Sequence, residues 1–419
     1  MLSASVVAML ALCLPFAFRF PFFGLCLYVW LDYVAPDRLF AGPFSETIRL
    51  SLLCGAATVG GWLIFEPKFK FGKSLALKFF LLFGIWVTIT SILSVYPDTA
   101  WPKWERFIKN YTMILVGICI VDSRERLMIF LGTVFAATSI HAVKGAFITI
   151  MTGGGGYSVV GTEGTYLEER NYIAMAFLFG FWLGVFLWRF ATRNDQPIWV
   201  RTAIAFCTVC CLISTIGTQS RGAFVAAIAS AVVMLMFSKR KAMSLTGFAF
   251  VVGLAFIVAP DSWIERMQTI DNYDTDHAST SRLDTWKFAW EYAVSNPIFG
   301  GGYTIFRKNV SDVSIYGIYD AHSFYFEVLA EHGFVGLAII IGFLLSLMGS
   351  LFVNWMKRKK YNDHGINDLL LFLLTACVGL YTAGVFGILS PFFMTYVPLL
   401  LAATFMKIEG SQLENKPNS

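Results

Sequence analysis

Long apolar runs alternate with short polar breaks along almost the whole chain. The runs are Leu2–Phe18, Pro21–Val34, Thr47–Phe65, Leu75–Leu93, Phe107–Val121, Leu127–Met151, Tyr172–Trp188, Val200–Thr215, Gly222–Phe237, Leu245–Val258, Phe334–Trp355, Leu369–Phe386 and Phe392–Met406. A bilayer core takes roughly 20 helical residues, and backbone polar groups inside it must be satisfied within the segment. The pattern therefore predicts an all-α, polytopic integral membrane protein with about 12 transmembrane helices, or about 13 if the first two runs cross separately. Only Arg19 and its neighbours part those two runs, so they read as two short spans or one broken element. One segment breaks the alternation. Pro260–Gly333 is polar with spans on either side, which predicts a long loop on one membrane face, with helices of its own. The chain divides into transmembrane helices over 1–259, the loop over 260–333, further spans over 334–406 and a polar tail over 407–419 that reads as disordered.

Charge fixes the orientation. Charged residues make up 14% of the chain, against about 25% in soluble domains. The net charge of +5 does not gather on a soluble face, which argues against nucleic acid as a partner. It collects in short loops: Lys68, Lys70 and Lys73; Arg124 and Arg126; Arg189 and Arg193; Lys239-Arg240-Lys241; Lys357-Arg358-Lys359-Lys360. These alternate with the other loops and share one face, which the positive-inside rule makes cytoplasmic. The outer face, periplasmic in a Gram-negative host, then collects Ser94–Arg106, Thr152–Asn171, Gly217–Gly222 and the long loop. The N-terminus has neither a basic n-region nor a small-x-small site, so it reads as uncleaved. All eight cysteines lie in apolar runs. Cys207, Cys210 and Cys211 read as packed thiols in a span rather than metal ligands, and no disulfide is expected in the loop.

Positive charge on the outer face runs against topology and needs another cause. Arg221, in TQSRGAF, stands where one run ends and the next begins. It can snorkel, or its planar fork can grip a phosphate beside a helix N-terminus. Arg282 follows a Ser-Thr-Ser run and opens LDTWKFAWEYAVSNP, an amphipathic helix that Ser279, Thr280 or Ser281 can cap. A cation in a first helical turn opposes the dipole unless an anion lies near, the alternative being a surface pair with Asp284. His322 precedes the segment Phe324–Leu329, with Asp320 or Ser323 as its cap, and imidazole can take a proton near neutral pH. The alternative for His322 is a structural hydrogen bond. His332, before Gly333, reads as a helix C-terminal residue. Weaker outer-face candidates are Gln219 in the arginine motif, Glu168 and Arg170 before a span, and Lys103 with Arg106 among Trp101 and Trp104. Asp271, Asp274, Asp276 and His277 cluster, but their spacing fits no metal loop, so a solvated turn is the preferred reading and no metal site is assigned. Gly153–Gly156 and Gly300–Gly302 read as flexible turns.

TQSRGAF, STSRLDTWKFAWEYAVSNPIFGGGY and AHSFYFEVLAEHGFVG together resemble the bacterial O-antigen ligase and O-antigen polymerase superfamily, over most of Tyr157–Met406. FPFFGLCLYVWLDYVAPDRLF and YPDTAWPKWERFIK look like the branch described as O-glycosylation ligases. The resemblance implies a glycosyltransferase of the bacterial inner membrane with a periplasmic site. It moves a glycan from undecaprenyl pyrophosphate to the lipid A-core oligosaccharide in lipopolysaccharide biosynthesis, without metal, nucleotide or other cofactor. It also implies that Arg221 and Arg282 hold the pyrophosphate and that His322 acts on the acceptor hydroxyl. An O-antigen polymerase and a protein O-oligosaccharyltransferase share that donor and remain alternatives. A transporter of lipid-linked glycans is the rival from another class.

Overall fold

The computed structural model describes residues 11–36, 49–67, 69, 71, 74–153, 158–163, 165–238, 253, 277–306, 321–358, 364–387 and 393–414. Among these residues there are helices and no strand. In chain order they are α1 (Leu14–Arg19), α2 (Pro21–Tyr33), α3 (Leu50–Phe65), α4 (Leu75–Ile92), α5 (Pro97–Ile120), α6 (Arg124–Met151), α7 (Arg170–Arg193), α8 (Ile198–Gly217), α9 (Arg221–Phe237), α10 (His277–Ser295), α11 (Phe324–Arg358), α12 (His364–Ala383) and α13 (Phe393–Glu414). Among the described residues, six stretches are long and apolar enough to cross a bilayer: α4, α6, α7, α8, α11 and Asn367–Phe386. The apolar parts of α3, α9 and α13 are shorter. The fold is thus a helical bundle of multi-spanning character. The first two apolar runs are separate elements, parted at Phe20, where Pro21 opens α2.

Contacts at the helix ends sort the loops into two sets. At one end Arg126 pairs with Glu66 (2.9 Å), and Arg189 and Arg193 both reach Asp368 (3.1 and 2.6 Å). Asn367 there donates to the Arg358 carbonyl (2.9 Å). At the other end Ser220 donates to Asn171 (2.8 Å), the Val95 amide donates to the Gly301 carbonyl (3.0 Å), and the Phe324 amide donates to the Gly387 carbonyl (2.8 Å). The first end gathers Arg126, Arg189, Arg193 and Arg358; the second gathers described parts of the segments expected on the outer face. Lipid offers helices no hydrophobic drive to associate, so close packing holds the bundle. Phe80 of α4 shows it: its ring stacks on Tyr111 of α5 (4.5 Å) and meets Phe343 of α11 and Tyr396 of α13 (5.8 and 5.1 Å).

Three sequence expectations need correction. The tail from Lys407 reads as disordered, yet α13 continues to Glu414. Lys407 donates to the Ile118 carbonyl (2.6 Å) at the end of α5 and Ile408 is buried, so tertiary contacts extend the helix past its apolar run. The α5 helix begins at Pro97, well ahead of the apolar run at Phe107, because Trp104 and Lys103 find polar partners on neighbouring helices. Ser279, Thr280 and Ser281 are not caps: α10 already includes His277, which puts Arg282 in the second turn rather than the first. Lys68, Lys70, Lys73, Lys239-Arg240-Lys241, Lys359, Lys360, Gly154–Gly156, Asp271, Asp274, Asp276, Asp320 and nearly all of Leu245–Val258 lie outside the described residues.

One break positions the site. The α11 helix is interrupted at Gly333 (φ 70°, ψ −175°), where the Phe334 amide turns to the Pro297 carbonyl (2.9 Å). A Cβ at position 333 would lie 2.3 Å from the Ile298 carbonyl oxygen. The break separates the short helix Phe324–His332 from the long span that follows. Gly333→Ala is therefore expected to destabilise the protein by more than the roughly 1–3 kcal/mol that this glycine-only backbone region costs alone. A lower thermal midpoint in detergent, followed by tryptophan fluorescence, checks this; an unchanged midpoint contradicts it.

Candidate functional site

The end of the bundle that gathers the segments expected on the outer face presents two helix N-termini side by side. Arg221 is the first residue of α9, whose cap is Ser220: its hydroxyl accepts from the Ala223 amide (3.2 Å) and donates to Asn171 (2.8 Å). Asn171 follows Arg170, the first residue of α7. The α9 and α7 helices thus begin together, each with an arginine. Helix N-termini direct unpaired N–H groups and positive dipole ends toward an anion, and guanidinium forks add bidentate donors. Gln219 stands in the turn before Arg221 with φ 55°, a left-handed conformation that turns the chain from α8 into α9. Glu168 is exposed in the 3-10 turn Tyr166–Glu168 just ahead of α7.

His322 lies at the start of the short helix Phe324–His332. Its φ is 44°, which costs a non-glycine residue about 1–2 kcal/mol. Its Nδ1 is buried and makes no hydrogen bond among the described residues. The same holds for the hydroxyl of fully buried Ser323, so Ser323 does not cap the helix through its side chain. Strain of this kind at a polar, incompletely bonded position is characteristic of functional sites.

Direct contacts link these segments. The Trp286 indole donates to the carbonyl of Ala321 (2.9 Å), the residue before His322, and stacks on Phe326 (4.9 Å). Arg282 is one turn before Trp286 on the same flank of α10 and is half-buried. On the other side, the Phe324 amide holds the Gly387 carbonyl, and neighbouring Phe386 rests against Gly222. A Cβ on Gly222 would come within 2.6 Å of Phe386, so glycine after Arg221 is what lets the two elements meet. Arg221, His322 and Arg282 are each within a turn of one continuous line of contacts joining α9, the His322 segment and α10.

Lys103 occupies a different place. Its ammonium bonds Glu327 (2.5 Å) and Glu331 (2.8 Å) and lies over the Tyr303 ring (5.1 Å). Glu331 also accepts the Thr304 amide (2.9 Å), while the Gly301 and Gly302 amides donate to the Ala330 and Glu331 carbonyls (2.9 and 2.8 Å). Lys103 thus ties α5 to the helix carrying His322, and that helix to the turn after α10. His332 ends the short helix, as its place before Gly333 predicts; its Nδ1 meets Thr90 of α4 (2.7 Å), and its ring packs against Tyr303 (4.9 Å). Sequence reading passed over Glu327 and Glu331. The signal was there, since two carboxylates four residues apart on an apolar stretch share one face and demand a cation.

A multi-spanning helical protein with basic helix starts and a strained histidine at one end is the class that this geometry defines. Residues 206–341 match the family model described as O-antigen ligase, and residues 1–192 match that of a family of unknown function. The segment that holds Arg221, Arg282 and His322 is thus similar to the O-antigen ligase family. No curated protein matches the chain.

The clamp makes a stability prediction. Lys103→Met leaves two buried carboxylates without their ammonium, which is expected to cost about 3–5 kcal/mol. Thermal unfolding of the purified protein should show a drop of several degrees; a midpoint equal to that of the unsubstituted chain would contradict the clamp.

Proposed function

We propose that the protein is an O-antigen ligase: a glycosyltransferase that moves a glycan from undecaprenyl pyrophosphate to the lipid A-core oligosaccharide at the periplasmic face of the inner membrane. The family match supports an enzyme of the O-antigen ligase and polymerase group acting on lipid-linked glycans. The observation that carries the finer reading is the line of contacts joining the Arg221, His322 and Arg282 segments, with His322 held in a left-handed conformation.

The chemistry follows from charge. The acceptor hydroxyl attacks the anomeric carbon and loses its proton to His322. The bond from that carbon to the pyrophosphate oxygen breaks, and the pyrophosphate leaves as an anion. Arg221 and Arg282 stabilise that developing charge, each contact worth roughly 3–4 kcal/mol of barrier. Fixed guanidinium charge takes the place of a general acid, so the reaction needs no metal or other cofactor, and in-line displacement inverts the anomeric centre. Arg170, Glu168 and Gln219 flank the Arg221 end and are suited to sugar or phosphate contacts. A polymerase or a protein O-oligosaccharyltransferase runs the same chemistry with another acceptor. A transporter reading fits less well, because it calls for polar groups near mid-membrane and paired broken helices.

Reconstitution with purified lipid-linked donor, offering lipid A-core, a second lipid-linked glycan and a serine-containing peptide, should yield transfer to the lipid A-core. Transfer to either other acceptor replaces the ligase by that rival. His322→Asn keeps a side chain that tolerates positive φ but removes the base. It is expected to lose at least roughly 100-fold in rate with membrane insertion intact; normal transfer would remove the base assignment. Arg221→Lys and Arg282→Lys should each stay well below the parent rate, since a point charge lacks the bidentate fork. Activity should persist in excess chelator, and loss restored by Mg²⁺ would reinstate a metal.

A further inference from the structure

The α10 helix has three distinct edges. At 100° per residue, Thr285, Ala289 and Ala293 face one way, and all three are buried against the Phe324–His332 helix and its surroundings. Arg282 falls on this packed edge and Trp286 borders it. Asp284, Lys287 and Glu291 form a second, exposed edge, where Lys287 and Glu291 lie at pairing distance (3.9 Å). Between them Leu283, Trp290 and Val294 fall within about 40° of arc and are 50, 54 and 57% exposed. The stripe continues past the helix end in exposed Ile298 and Phe299.

This apolar edge is continuous with the outer surface of the spans. Phe299 stacks on Trp86 of α4 (5.4 Å), a helix whose Ile85, Ile89 and Ile92 are exposed. Trp290 meets Phe334 edge-on (5.6 Å), where α11 begins its long apolar run with exposed Ile341 and Leu345. An exposed apolar stripe in water is costly, whereas one that joins a lipid-facing belt through aromatic contacts is suited to the interface layer.

We propose that α10 is an interfacial helix: its Leu283–Trp290–Val294 edge is seated in bilayer lipid at the membrane surface, while its Asp284–Lys287–Glu291 edge faces water. This seat sets the depth of the helix, and it holds Arg282 at the level of lipid headgroups.

The test uses the full chain in liposomes. Leu283→Cys, Val294→Cys and Glu291→Cys are labelled with an environment-sensitive fluorophore, with native-cysteine labelling measured on the parent chain and subtracted. The expected result is emission at positions 283 and 294 quenched roughly twofold or more by shallow spin-labelled phospholipid and little by iodide, with the reverse at 291. Iodide quenching all three positions alike would overturn the proposal. So would absent lipid quenching with disulfide cross-linking of Val294→Cys between two chains, which would give the edge to a second copy. Neither readout depends on glycan transfer, so failure of the seat and failure of the ligase reading remain distinguishable.

Discussion

A lysine between two carboxylates sets the geometry of the end that carries His322. Burying an ion is costly unless a counter-charge and hydrogen bonds complete its shell, and Glu327 and Glu331 are each only 1% exposed. Lys103 answers both, and the Thr304 amide adds a donor to Glu331. These demands are directional, unlike packing among apolar side chains. They fix the axial position of the Phe324–His332 helix against α5 and lock the glycine turn after α10 onto the same helix. His322 inherits its position from that lock. A left-handed histidine persists only where its surroundings over-determine it, and the ion network on one flank and the Phe324–Gly387 bond on the other do so here.

The arrangement also separates tasks by charge. One arginine begins a helix whose N-terminus abuts another arginine-led helix. A second rides on the flank of a helix that touches the histidine segment through Trp286. Positive helix ends and guanidinium forks gather at this end, and the imidazole lies on the line of contacts between them. The basic residues of the opposite end are spent differently: Arg126, Arg189 and Arg193 close ion pairs with Glu66 and Asp368.

Much of this was legible in the chain before any coordinates. The bilayer imposes a single rule on apolar runs, so Leu75–Leu93 and Leu127–Met151 emerge as α4 and α6 almost residue for residue. Arg221 drew notice as positive charge on the expected outer face, and His322 as an imidazole where a polar loop opens into a helix. The failures share a cause. The early start of α5 and the continuation of α13 past its apolar run lie at polar helix ends, where tertiary bonds of Lys103, Trp104 and Lys407 and not hydropathy decide; the reach of α10 back to His277 lies at a polar end as well. Ser323 looked like a cap by position, but its hydroxyl makes no such bond. The Lys103 partners escaped because their meeting is a matter of tertiary distance, 224 and 228 residues away along the chain.

The interruption at Gly333 gives the two halves of α11 separate helical phases. A residue added within Phe324–His332 would swing His322 through about 100° and shift it along the axis by about 1.5 Å, out of phase with α5. A residue added at the start of the following span would instead turn Phe343 away from Phe80 and Tyr396. The two errors differ in kind: one misplaces the imidazole, the other unseats a packed face of the bundle.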